Sequence, residues 1–301
     1  MGMMMNKNQL FSVEILLPLV EALAPQEGQN SMPSKDVTLF RTSKPEPPMP
    51  VLYSSSIVIT VQGRKKVFLG EKVYQYDPQH YLLVTSQMPM LCEVQAENEK
   101  PVLTMRVDLD LPLLSELVME MTSIAPEYKS SPLGKGVSNG DITPQMVQTL
   151  HRLLECLADP TQSQLFARSI IRELYFHILN GPNGHALRSL AHDPRYGRLN
   201  DVVLHINQHY ADPMRVDDLA EMASMSIATF HHNFKALTSA SPLQYLKSIR
   251  LSKARLLMLH EGMGVGQAAN AVGYESASQF SREFQRFFGE APVRMKSSGV
   301  H

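Results

Sequence analysis

The sequence predicts a multidomain α+β protein. A β-barrel or sandwich with flanking helices comes first, followed by an all-α tail holding two helix-turn-helix units. Three observations predict it. Residues 37–110 contain short runs rich in Val, Ile, Tyr and Thr, broken by Gly, Pro and Asp. After Pro112 the apolar spacing changes to a helical period. Near the end, one short pattern is written twice, fifty residues apart.

Bulk properties set the frame. A chain of 301 residues is long enough for two domains, each with its own core. With 44% hydrophobic and 19% charged residues it reads as globular rather than disordered. The net charge of −1 argues for no partner, so any nucleic-acid surface must be local. Two cysteines, Cys92 and Cys156, make no disulfide framework and fit a reducing compartment. The N-terminal run "FSVEILLPLVEAL" carries Glu14 inside it, only Lys7 shortly before it and no small-residue cleavage site, so it reads as a short packed helix. No apolar run reaches the ~20 residues of a membrane span. The expected location is cytoplasmic, without membrane contact.

The elements follow in order. "IVITVQG", "KKVFLG", "VYQYD", "HYLLVT", "LCEVQA" and "VLTMRVDLD" read as strands of a sandwich or small barrel. Before them, the four prolines of "SKPEPPMPVLY" impose an extended approach. "LPLLSELVMEM" reads as helix and residues 130–141 as a loop. Thr143 is a good N-cap with Pro144 in the first turn, opening a helix whose Met146, Leu150, Leu153 and Leu157 form one stripe. "SQLFARSIIRELYFHILNG" is a second helix, ending at Gly181 before Pro182. These stripes suit packing on the β domain and dimerisation equally. A boundary at 181–197 separates a front region, residues 1–190 with helices over 111–181, from a helical tail, residues 196–298.

In the tail, Ser226, Phe230, Phe234 and Pro242 match Ser276, Phe280, Phe284 and Pro292 at an offset of 50. Val216, Leu219, Ala220 and Ala223 match Val265, Ala268, Ala269 and Val272 at an offset of 49. Each copy reads as short helix, tight turn and second helix, over 216–237 and 265–288. Alanines permit a close helix crossing, Ser caps the second helix, and paired Phe at i and i+4 point inward. This is the helix-turn-helix plan, whose second helix enters the DNA major groove. A helix over 242–260 joins the copies. At 1.5 Å per residue it spans ~28 Å, comparable with the ~34 Å between successive major-groove faces on one side of a duplex. From Lys235 to Lys296 there are nine Lys/Arg against four Glu, a basic stretch in a neutral chain.

The tail, with "LAEMASMSIATFHHNFKALTSASPLQYLKSIRLSKARLLM" and "AANAVGYESASQFSREFQRFFGEAP", resembles the AraC/XylS family of transcription regulators. The front part, with "VQGRKKVFLGEKVYQYDPQHYLLVTSQMP" and "IIRELYFHILNGPNG", resembles the N-terminal region on one branch of that family. The resemblance implies a cupin-like sensing barrel ahead of the DNA-binding tail. It further implies a sequence-specific regulator, usually an activator and often a homodimer, with RNA polymerase as a partner.

The family's base-reading positions fall on Ala228, His231 and His232, with Lys235 also on the outer side. Ala228 offers only a methyl contact to thymine, whereas both His can donate to base or phosphate. In the second copy Ser278, Gln279 and Arg282 take the reading positions. Arg grips guanine and Gln adenine with two hydrogen bonds each. Arg286, one turn on, suits a phosphate, and the helix N-terminus at Ser276 another.

In the barrel, His80 is the only His between Arg41 and Asp110, too few for a cupin metal site, and no nucleophile–His arrangement is evident. Neither a metal nor another cofactor is expected. Arg41, Tyr53, Tyr74, Tyr76 and Tyr81 are candidate polar handles for a small-molecule effector, against a structural role for each. Cys92 reads as a buried thiol or, alternatively, a sensor. Two other functions stay open: a cupin-type enzyme with a helical appendage, and an effector-independent DNA-binding protein whose barrel only dimerises.

Overall fold

The computed structural model describes residues 12–70, 72–96, 100–125 and 134–295. Phe11, Lys296 and the first residues of the expected 130–141 loop lie outside them. A 3-10 turn, Val13–Leu16, and α1 (Leu17–Leu23) open the described chain, and Val13, Leu16 and Val20 are buried. The N-terminal run is thus part of the packed core.

Ten strands build the front region: β1 (Gly28–Ser31), β2 (Val37–Thr42), β3 (Glu46–Tyr53), β4 (Ser56–Gln62), β5 (Arg64–Leu69), β6 (Lys72–Tyr76), β7 (His80–Val84), β8 (Met88–Gln95), β9 (Val102–Asp108) and β10 (Val137–Asp141), counted among the described residues. They pair antiparallel in two sheets, ordered β1-β2-β9-β4-β7-β10 and β3-β8-β5-β6. The proline-rich approach becomes β3 itself. It lies at a sheet edge, where missing N–H groups cost no ladder bond, and its register shifts between Glu46 and Met49. Residues 137–141, expected as loop, are strand β10. Only Val137 is buried there, so no alternating pattern marks the strand; the open edge of β7 recruits it through the backbone.

Alternation divides the larger sheet. Ile57, Ile59, Leu83, Leu103 and Met105 face a helical layer of α2 (Leu111–Ile124), α3 (Pro144–Leu157), α4 (Pro160–Leu179) and α5 (Gly184–His192). Val58, Leu82 and Val84 join the cluster of the smaller sheet's Val67, Tyr76, Met90 and Cys92. Met146, Leu150, Leu153 and Leu157 are all buried in the helical layer, so that stripe packs within the chain. Asp159 caps α4, which starts at Pro160, ahead of the expected span.

The expected boundary segment is helical. Asp193 alone separates α5 from α6 (Pro194–Gln208). Then come α7 (Val216–Met222), α8 (Ile227–Thr238), α9 (Pro242–His260), α10 (Val265–Ala271), α11 (Ala277–Phe288) and α12 (Pro292–Met295). The core holding the smaller sheet's side chains continues through Tyr196, Leu199 and Val203 of α6 to Phe230, Phe234 and Tyr245. A separate cluster of α9, α10 and α11 side chains supports the second unit.

Candidate nucleic-acid interface and barrel interior

The two repeats fold alike. Ser226 accepts a hydrogen bond from the Thr229 N–H, and Ser276 from the Gln279 N–H, both at 3.3 Å. Phe230 and Phe234 have ring centroids 5.4 Å apart; Phe280 and Phe284 repeat that spacing, and all four are buried. The turns also correspond. Met225 N–H donates to Ala220 O and Tyr274 N–H to Ala269 O, both at 3.0 Å, the six-to-one bond of a Schellman ending. That turn needs a left-handed residue. Gly273 supplies it in the second copy (φ 83°) and Ser224, against its intrinsic preference, in the first (φ 53°). The C-terminal caps repeat the contrast, with Gly289 at φ 78° and Ser239 at φ 61°.

With the Phe pairs buried, the opposite helix faces are outward. Ala228, His232 and Lys235 on α8 are exposed and His231 is half-buried; Ser276, Ser278, Gln279, Arg282 and Arg286 are exposed at α11. Each unit therefore presents a capped helix N-terminus whose orphan N–H groups and positive dipole end favour an anion.

The basic stretch divides into surface charge and structural clamps. Arg250 donates to three carbonyls: Tyr210 O at 2.6 Å, Asp212 O at 2.8 Å and Gly273 O at 3.1 Å. It ties α9 to the segment before α7 and to the second turn. Arg255 is buried, donating to Pro48 O at 3.2 Å, with Glu290 at 3.7 Å and its guanidinium 4.7 Å from the Phe288 ring centre. Burial lowers the pKa of both guanidinium groups. Lys247 donates to Glu283 at 2.9 Å, fixing α11 to α9. Charge counting along the sequence cannot separate these from Lys235, Arg282 and Arg286.

The barrel parts the six effector candidates. Tyr53 and Tyr76 share a hydroxyl contact of 2.9 Å, and Tyr76 OH is 4.0 Å from Cys92 Sγ. Burial pushes both phenols well above their usual pKa. Tyr74 is half-buried beside the same cluster. Arg41 and Tyr81 lie apart from it. Arg41 reaches Ala24 O at 3.5 Å, and Tyr81 is in the helical layer, its hydroxyl accepting from Asn183 at 3.1 Å. Strand alternation puts both on the helix-covered face, a division invisible before the strand boundaries are known. Lys65, which sequence reading passes over, lies within the barrel with its ammonium 6.0 Å from the Phe40 ring centre, and burial lowers its pKa. His80 contacts Asp77 at 2.8 Å and Asp141 at 3.5 Å.

Residues 33–186 match the family described as AraC-type transcriptional regulator N-terminus, and residues 219–298 match a helix-turn-helix domain family. The HTH-type transcriptional activator RhaS of Escherichia coli O139:H28 is 36% identical over 95 residues, which is 32% of this chain and 34% of RhaS. The chain thus spans about a third of the length of the curated relatives it matches. Among solved structures, an apo point variant of ToxT from Vibrio cholerae strain SCE256 superposes with a TM-score of 0.51 at 12% identity, over 91% of this chain and 100% of that one. ToxT from V. cholerae O395, bound to (E)-4-(8-methylnaphthalen-1-yl)but-3-enoic acid, gives 0.52 at 11%, over 88% and 98%. At these identities the likeness is one of fold.

Proposed function

The chain belongs to the AraC-type transcriptional regulators, and from that premise we propose that it is a sequence-specific DNA-binding activator whose barrel takes a small organic effector. The single observation that supports this best is the pair of N-capped, outward-facing helices α8 and α11 on equivalent turns. The 19-residue strut α9 separates them at a scale that suits neighbouring major-groove faces. His231, His232, Gln279 and Arg282 read base edges, Ala228 and Ser278 make short contacts, and Lys235, Arg286 and the Ser276 helix end engage phosphate. The Tyr53–Tyr76–Cys92 cluster, with Tyr74 and Lys65, forms the polar part of the effector site. ToxT bound to a small organic acid lends analogy, no more, to an effector of that size. In this reading the protein acts in the cytoplasm, as a homodimer with RNA polymerase as partner.

The test is selection of duplexes from a random-sequence pool by the full chain, followed by affinity measurements on the selected and unselected DNA. Arg282→Ala should weaken binding to the selected duplex by ~10-fold or more, the scale of one lost bidentate base contact, with a much smaller effect on unselected DNA. Equal weakening on both would remove Arg282 from base reading, and failure to enrich any sequence would end the regulator reading.

A further inference from the structure

The turn joining β7 to β8, Thr85–Gln87, sits between the barrel and the first helix-turn-helix unit, and each of its three residues is held by the tail. Tyr196 of α6 donates to Thr85 Oγ1 at 2.6 Å. Ser86 donates to Asn200 of α6 at 2.9 Å. Tyr245 of α9 donates to Gln87 O at 2.7 Å, while its own oxygen accepts from Asn207 at 3.0 Å. Thr85 and Ser86 are fully buried, so these bonds are made away from water.

A backbone relay adds α8 to the same point. Thr85 N–H donates to Gly136 O at 2.8 Å, and Gly136 N–H donates to Leu237 O, in the last turn of α8, at 2.9 Å. Gly136 is required there by space. A Cβ would lie 2.2 Å from Met88 Cε and 2.7 Å from Leu237 O. On the outer side, Lys72 of β6 donates to Ser239, the cap of α8, at 3.0 Å. All of these contacts reach the C-terminal end of α8 or the helices that pack on it. The outward residues Ala228, His232 and Lys235 stay exposed.

We propose that the Thr85–Gln87 turn, locked through Gly136, is the positioning element that sets the first reading helix from the barrel. It rests on the regulator reading above and adds to it a route: β7 and β8 carry Val84, Met88, Met90 and Cys92 into the barrel cluster, and their joining turn grips α6, α8 and α9. The second unit is outside this grip: among the described residues its apolar cluster contains no barrel side chain, and Arg255, which donates to Pro48 O, meets the barrel at β3 rather than at the turn. A shift of the Thr85–Gln87 turn therefore acts on α8 directly and reaches α11 only through α9. Coupling of this kind requires an element both sites bias, and this turn touches both.

The test uses the full chain and duplexes enriched from a random pool by the wild type, with each half-site permuted in turn. Gly136→Ala should lose about tenfold in discrimination at the half-site read by α8, with discrimination at the α11 half-site kept. Tyr245→Phe, which removes one hydroxyl and leaves the ring, should show the same asymmetry at smaller size and covers the case in which Gly136→Ala does not fold. Hydrogen exchange in these variants should quicken over 227–238 and not over 277–288. Equal loss at both half-sites, unchanged discrimination at the α8 half-site, or unchanged exchange in α8 would each overturn the assignment. Failure of the wild type to enrich any duplex would instead count against the regulator reading itself, and the exchange measurement would still decide the coupling.

Discussion

Ser224 and Gly273 occupy equivalent turn positions and differ only in how well they tolerate them. Both sit at left-handed φ, which costs a non-glycine residue about 1–2 kcal/mol. Ser224→Gly should therefore raise the unfolding free energy by about 1 kcal/mol, once the larger chain entropy of glycine in the unfolded state is offset. Gly273→Ala should do the opposite and more severely. An added Cβ would come within 2.1 Å of Ala211 O, so backbone strain and a clash act together. Denaturant titrations of the two variants check the pair, and a neutral Gly273→Ala would show that the second turn does not hold this geometry.

At the scale of elements, α11 is fastened to α9 by one carboxylate. Burial raises the pKa of Glu283, but hydrogen bonds from Lys247, Tyr274 and Gln279 outweigh it, so the folded-state pKa lies below the ordinary 4.5. A depressed carboxyl stabilises the fold above its ordinary pKa, and that contribution disappears as pH falls through the folded-state value. Thermal stability of the second unit should thus hold on approach to pH 4.5 from neutral and decline below it. Lys247→Met should weaken the fastening at neutral pH by less than about 1 kcal/mol, since Lys247 is partly exposed. It should also move the acid decline to higher pH. Melting curves from neutral pH down to about one unit below the ordinary carboxyl value would decide, and identical profiles for variant and wild type would discount the contact.

Across the whole molecule, the two helix-turn-helix units rest on different supports. The first shares its apolar core with the smaller sheet and α6, whereas the apolar core of the second, among the described residues, is the small cluster around Leu251, Met258, Phe280 and Phe284, joined to the barrel by the polar contact of Arg255 with Pro48 O. Regions with fewer buried contacts open at lower free energy. Native-state hydrogen exchange across a urea series should show α11 opening sub-globally before α8. A common isotherm for both helices would mean that the strut α9 transmits the barrel's support through its full length.

Local chemistry is enough to read the repeat. Caps, inward Phe pairs and proline stops depend on spacings of three to five residues, so Ser226, Ser276, Phe230 and Phe280 are identifiable from order alone. The same holds for the strands with strong β-branched or aromatic content. Strand β10 is not readable, because its pairing comes from the free edge of β7 rather than from its side chains. The roles of Arg250 and Arg255 are hidden for a related reason: a guanidinium on a surface and one clamped to carbonyls have the same sequence signature. Residue order therefore suffices for the pair of helix-turn-helix units and for sheets preceding helices, both being matters of short-range pattern. That the first unit is built into the barrel's core through the Thr85–Gln87 turn emerges only on folding, because the join is made by contacts between residues more than a hundred positions apart.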